Sequence, residues 1–165
     1  MSLPDTRLNR RFFLLAPLAL AACGFEPVYG PGGTGTLLQG RVQVDAPDDQ
    51  DSYILVRELE ERLGRGGDNA AFALSTSIRT TVAQLAVDRE GDTNRFNRIA
   101  VVDYALRNLE TGSIVTSGQV ENFVGYSATG TTIVTLAGAQ DAQKRLMNIM
   151  ADQIVTRLYA ADLGG

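Results

Sequence analysis

Three arginines, Arg89, Arg95 and Arg98, fall within ten residues of an otherwise acidic chain. Guanidinium forks at that density suit phosphate oxygens, which they engage through paired, charge-assisted hydrogen bonds. The ordinary alternative is solubility and pairing with Asp88, Glu90 and Asp92 in the same stretch. Few other residues offer chemistry. The chain has no histidine, which excludes imidazole-based triads and histidine metal sites. A Ser-Lys pair would depend on Lys144, the only lysine, within a helical pattern. Gly30 to Gly35 is glycine-rich but contains Pro31 and lacks the Lys and Ser/Thr of a phosphate loop, so it reads as linker. Asp48, Asp49 and Asp51 cluster where a helix begins, and capping explains them without calcium. No catalytic residue, metal site or cofactor is expected, and the chain reads as a non-enzyme.

Cys23 is the only cysteine. It follows a basic n-region (Arg7, Arg10, Arg11) and an apolar run of 11 residues, Phe12 to Ala22. That run is short of the roughly 20 residues a membrane-spanning helix needs, and it fits a secretory signal. Leu20-Ala21-Ala22-Cys23 resembles the bacterial lipobox, in which the thiol receives diacylglycerol before cleavage. Residues 1–22 therefore read as signal peptide, with Cys23 as the lipid-attachment residue. Arg10-Arg11 also offers a twin-arginine export signal. The absence of Asp at position 24 resembles the outer-membrane default of lipoprotein sorting. A lipid-anchored body on the periplasmic face of the outer membrane is the expected location.

The elements that must carry these residues follow from length and periodicity. Cleavage after residue 22 removes Arg7, Arg10, Arg11 and Asp5, leaving 12 basic against 18 acidic residues. That balance speaks against nucleic-acid binding. Residues 23–36 read as a lipidated Gly/Pro-rich tether, and residues 37–165 as one domain. Leu37–Val44 reads as a strand. A helix capped by Asp51 or Ser52 runs to Leu63 and stops at Gly64, with Leu55, Leu59 and Leu63 on one stripe. Alternation over Phe72–Val82 gives a strand whose phase slips at Leu85 and Val87. Ile99–Leu109 and Ile114–Tyr126 form two more strands about the Thr111-Gly112 turn. A helical period runs from about Ile133 to Ala161, with Gly138 marking a kink or delayed start. The fold class is α+β, a four-stranded, mainly antiparallel sheet with two helices on one face, in the order β-α-β-β-β-α. Ala73, Ser75, Ser77, Arg79 and Thr81, with Val115, Ser117, Gln119, Glu121 and Phe123, then occupy a sheet face without helices.

Several ordered segments carry a family resemblance: Cys23-Gly24-Phe25-Glu26-Pro27-Val28-Tyr29-Gly30, Thr93-Asn94-Arg95, Tyr104-Ala105-Leu106, Thr111-Gly112, Tyr126-Ser127-Ala128, Asp141-Ala142 and Ile154-Val155-Thr156-Arg157-Leu158. Together they resemble the LPS-assembly lipoprotein LptE family in its alphaproteobacterial form. The resemblance implies a protein that sits within the lumen of the large β-barrel LptD. It implies help in assembling that barrel and in delivering lipopolysaccharide to the cell surface. It also implies lipopolysaccharide binding through basic residues, for which Arg89, Arg95 and Arg98 are the candidates. A different class of protein, an auxiliary lipoprotein of an ABC-type lipid transporter, would share the small lipidated α/β form.

Overall fold

The computed structural model describes residues 30, 33–87, 93–128 and 132–163. Cys23 and Arg89 lie outside the described residues, as do the signal peptide and most of the expected tether. A short helix α1, Thr34–Leu38, opens the body, followed by strand β1, Val42–Val44. Helix α2, Gln50–Leu63, leads through a 3-10 turn at Gly67–Asn69 to three long strands. These are β2, Phe72–Val87, β3, Thr93–Asn108, and β4, Ile114–Ser127. Helix α3, Thr132–Tyr159, completes the domain. The sheet order is β1-β2-β3-β4. β1 is parallel to β2, and the other pairs are antiparallel.

The expected strand over Leu37–Val44 is thus shortened to three residues, and part of the expected tether is folded. Leu38 is fully buried from within α1. The chain then reverses at Gly40, whose φ of +67° suits glycine. The Gly40 amide donates to the Leu63 carbonyl at 2.7 Å. Burying Leu38 from a helical turn and re-entering at Val42 satisfies the core better than a continuous strand of mixed phase.

Helix α2 starts at a reciprocal cap. The Asp49 carboxylate accepts from the Ser52 amide at 2.7 Å, and the Ser52 hydroxyl accepts from the Asp49 amide at 2.8 Å. The cap is therefore Asp49, with Ser52 as its return partner. Asp51 lies inside the first turn and points into the protein instead. The Ser52 amide holds the Asp49 carboxyl below its ordinary range, reinforced by the Ser52 hydroxyl. That contribution to stability is present above the unfolded carboxylate pKa and is lost as pH falls through the lower folded value. Asp49→Ala is expected to cost about 1 kcal/mol near neutral pH, measured by urea denaturation. The difference from the parent protein should shrink in acid.

One layer of helices covers one face of the sheet. Leu55, Leu59 and Leu63 of α2 and Leu146, Met147, Met150, Ile154 and Leu158 of α3 are fully buried. They meet Phe72, Leu74, Ala100, Val102, Tyr104, Leu106, Val120 and Val124 from the even-numbered side of β2, β3 and β4. Helix lengths decide how far this cover extends. α3 has 28 residues, about 42 Å at 1.5 Å per residue, enough to follow β4 along its length. α2 has 14 residues, about half as long. Its first turn reaches β2 at Thr80, where the hydroxyl donates to Asp51 at 2.8 Å. Beyond that level no described helix covers Val82, which is in core phase and 46% exposed.

β3 begins at Thr93, well before the expected Ile99, because residues 95–98 pair with both β2 and β4. Tertiary pairing overrides their polar character. The slip near Leu85 is present as register shifts between Gln84, Ala86 and Val87. A second bulge, where Arg107 faces Ile114 and Leu106 faces Thr116, turns Val115 toward the core. Val115 therefore does not share the open face assigned to it by simple alternation. Gly138 neither delays nor interrupts α3.

Tyr104 of β3 is paired with Gly118 of β4. A Cβ on Gly118 would come within 2.8 Å of the Tyr104 hydroxyl and 3.1 Å of its ring. The ring is 6% exposed and has little room to retreat. Gly118→Val should therefore destabilise the fold by about 2 kcal/mol, read as a lower urea midpoint. Restoring space with Tyr104→Phe should recover part of the loss.

Candidate functional site

The sheet face without described helices presents a continuous row of polar side chains across β2, β3 and β4. Ser75, Ser77, Arg79 and Thr81 of β2, and Ser117, Gln119 and Glu121 of β4, are exposed on it. Asp103 of β3 stands between these strands. It pairs with Arg79 Nη1 at 2.8 Å and accepts from Gln119 Nε2 at 2.6 Å. The Gln119 amide, and then the Arg79 guanidinium, hold the Asp103 carboxyl below its usual range. This cross-strand set fixes a polar stripe across three strands while leaving it open to water. A depression of about 220 Å³ lies beside it, lined by Ser75, Ser77, Asp103 and Ala105 among others. Ser75 also donates to the Ala105 carbonyl at 3.3 Å. The face offers hydroxyl, amide and carboxylate groups for reversible, water-shared contacts, with no nucleophile–base pair.

Of the three arginines, the two that are described, Arg95 and Arg98, do not share a surface. Arg95 and Arg98 stand three positions apart on β3 and therefore project from opposite faces. Arg95 is exposed at the far end of the sheet. It lines a groove of about 320 Å³ with Leu85, Phe96, Asn97, Gly125, Tyr126 and Ser127. The Phe96 and Tyr126 rings stack beside it, their centroids 5.4 Å apart. Arg98 turns toward the helices. Its Nη2 meets the two Asp51 carboxylate oxygens at 3.2 and 3.1 Å. Asp51 also accepts from Thr80 Oγ1 at 2.8 Å and Gln143 Nε2 at 2.6 Å. This cluster ties α2, β2, β3 and α3 together where α2 begins. Arg98 is thus committed to a buried pair and is not presented to a ligand as a member of a basic patch.

Sequence reading missed Asp51 as the buried acceptor, because its place at a helix start offered a sufficient explanation. A signal was present. Arg98 shares the even phase of Ala100, Val102, Tyr104 and Leu106, so an arginine in core phase required a buried acid. A second polar network joins the helices at Glu58. Arg57 contacts its carboxylate at 2.7 Å, Arg62 at 2.9 Å and Asn148 at 3.0 Å. Hydrogen bonds from Arg57 and then Arg62 outweigh burial and lower the Glu58 pKa.

Among the described residues, no group of His, Cys, Asp and Glu suits a metal ion, and no helix is long and apolar enough to cross a membrane.

The fold is shared with solved lipoprotein structures. A lipoprotein from Caulobacter crescentus CB15 superposes with a TM-score of 0.65 at 24% identity, covering 78% of this chain and 95% of its own. A minor lipoprotein from Acinetobacter baumannii gives 0.57 at 15% identity, covering 73% and 93%. Rare lipoprotein B from Shewanella oneidensis gives 0.56 at 14% identity, covering 73% and 92%. No curated protein matches the sequence. The family profile described as LptE, lipopolysaccharide-assembly, matches residues 40–158, from the chain reversal before β1 almost to the end of α3. This chain belongs to the LptE family of lipopolysaccharide-assembly proteins.

Proposed function

We propose that the protein is an outer-membrane lipoprotein, held at the periplasmic face through a lipidated Cys23. In this reading it assists assembly of an LptD-like β-barrel and delivery of lipopolysaccharide to the outer surface, without catalysing a reaction. The observation that carries the reading is the one-sided sheet. The described helices pack on one face, and the other presents Ser75, Ser77, Arg79, Asp103, Gln119 and Glu121. Barrel lumens are polar and wet, and such a face meets a lumen wall through hydrogen bonds and shared water. Membership of the lipopolysaccharide-assembly family supports the same role. An acyl anchor confines the search for the barrel to one membrane surface and raises the effective concentration.

Co-purification from the native host tests this. A large outer-membrane barrel should accompany the protein in stoichiometric amount. Recovery of inner-membrane or substrate-binding transport components instead would replace the reading with the auxiliary-transporter role. For glycolipid contact, Arg95 is the candidate within the described residues, and Arg89 is retained from the sequence. Replacing both with alanine should weaken lipopolysaccharide binding several-fold at low salt, with a smaller effect at high salt. Equal affinity at low salt would remove these side chains from the contact.

A further inference from the structure

The two edges of the sheet are treated differently. Along a strand, successive residues direct their N–H and C=O groups to alternate sides. On β4 the outward groups belong to odd positions, and side chains occupy two of them. Arg157 of α3 donates through Nη1 to the Gln119 carbonyl at 2.6 Å. The Phe123 amide donates to the Asn122 side chain at 2.8 Å. Such self-contacts blunt an edge against added strands.

β2 has no such guard beyond β1. The Leu74 carbonyl accepts from the Asp45 amide at 3.0 Å, which places the outward groups at even positions. β1 pairs only with Phe72, Ala73 and Leu74. The chain then leaves the sheet plane to begin α2, whose Asp51 lies beneath Thr80. Among the described residues, no hydrogen bond reaches the outward backbone groups of Ile78, Thr80, Val82 and Gln84. This stretch ends where the register slips.

The side chains flanking the edge define what fits there. Toward the helices stand half-buried Ile78 and exposed Val82. Toward the open face stand Ser77, Arg79 and Thr81, with Arg79 already paired to Asp103. Asp45, Asp48 and Asp49 are exposed on the segment that runs from β1 to α2, where Asp48 and Asp49 also accept from Ser52. No ion pair engages them among the described residues. We propose that the β2 edge from Ile78 to Gln84 accepts an extended segment of a partner protein that alternates apolar with polar residues and is basic at the end next to β1, adding a strand in line with β1.

The apolar positions of that segment would cover Ile78 and Val82, and the basic groups at its end next to β1 would meet the acidic stretch from Asp45 to Asp49. A second copy of this chain fits less well. A two-fold pairing centred on Thr80 would bring two acidic α2 starts together, each with Asp48 and Asp49. The inference does not depend on the barrel partnership.

The test uses the mature protein in detergent and a labelled ten-residue peptide that alternates valine with threonine and carries two lysines at one end. Saturable binding by fluorescence anisotropy is expected, with slowed amide exchange at Ile78, Val82 and Gln84. N-methylation of alternate peptide amides should weaken binding at least tenfold, and replacing its lysines with glutamate should also weaken it. Val82→Pro removes one outward amide that the fold does not use, so it should reduce binding while circular dichroism is retained. No binding, or binding indifferent to N-methylation, overturns the proposal whatever the fate of the Val82→Pro variant. Sedimentation of the protein alone as a dimer that Val82→Pro dissociates would also overturn it, by giving the edge to a second copy.

Discussion

Replacing Arg98 with leucine is expected to lower stability by about 2–3 kcal/mol, and replacing Asp51 with leucine by about 3–4 kcal/mol. The order follows from what each change leaves behind. Without Arg98, the Asp51 carboxylate keeps hydrogen bonds from Thr80 and Gln143. Without Asp51, the guanidinium, the Thr80 hydroxyl and the Gln143 amide all lose their acceptor. Among the described residues Arg98 Nε already lacks a partner, so loss of the carboxylate adds to an existing deficit. The Arg98 and Asp51 side chains are 20% and 11% exposed. Water therefore screens part of the pair, and the lower end of the buried range applies. The double replacement should cost clearly less than the sum of the singles, because neither charge is stranded. Urea denaturation of the four proteins gives the cycle. Additive losses would mean that the pair is not coupled. An Arg98→Leu protein with parental stability but impaired lipopolysaccharide binding would return Arg98 to the ligand surface.

Loss of the Cys23 thiol should release the protein from the membrane. The clean variant carries Cys23→Ala behind an ordinary secretory signal, so that an uncleaved apolar run cannot act as an anchor. With no acyl chain, the described body offers a membrane only a small apolar patch at the start of α3, Ile133, Val134 and Leu136, since most other apolar residues of the helices are buried in the core. No described helix can span a bilayer. The expected result is near-complete recovery in the soluble periplasmic fraction, against membrane recovery of the parent. A single acyl chain binds membranes only marginally and several bind stably, so the contrast should be large. Circular dichroism should be unchanged, because the buried cluster of the described residues, from Leu38 to Leu158, already forms a core. Membrane retention of the variant would show that a protein or lipid contact of the folded body holds it there. An unfolded spectrum would show that the segment before α1 is more than a tether.

Acid should weaken the joint between the helices. The Glu58 carboxyl, lowered by its arginine partners, contributes stability above the unfolded carboxylate pKa. That contribution fades as pH falls through the lower folded value. Glu58→Gln should therefore flatten the acid limb of the stability profile, measured by thermal unfolding between neutral and acid pH.

Much of the architecture was legible in the residues. Leucines at 55, 59 and 63 leave one buried stripe for α2. Alternation in β2, β3 and β4 yields one apolar and one polar face, which forces the helices to a single side. Such periodicities are local, and burial acts on them directly. The start of β3 at Thr93, the turn of Val115 toward the core and the helical α1 were not legible in the same way. Each depends on what a neighbouring strand or helix supplies: pairing to β2 and β4, a bulge opposite Arg107, and a pocket for Leu38.

The arginines divide along the same line. Sequence placed Arg95 and Arg98 near one another and gave both the chemistry to hold phosphate. Only the packed fold put a helix start, and with it Asp51, beneath one face of β3. A charge next to a buried carboxylate is held by it, whereas the same group three residues earlier stays in water. Composition and periodicity determined that the domain is one-sided, acidic and without imidazole chemistry. The tertiary structure decided which guanidinium is free, because desolvation and pairing arise only when distant segments meet.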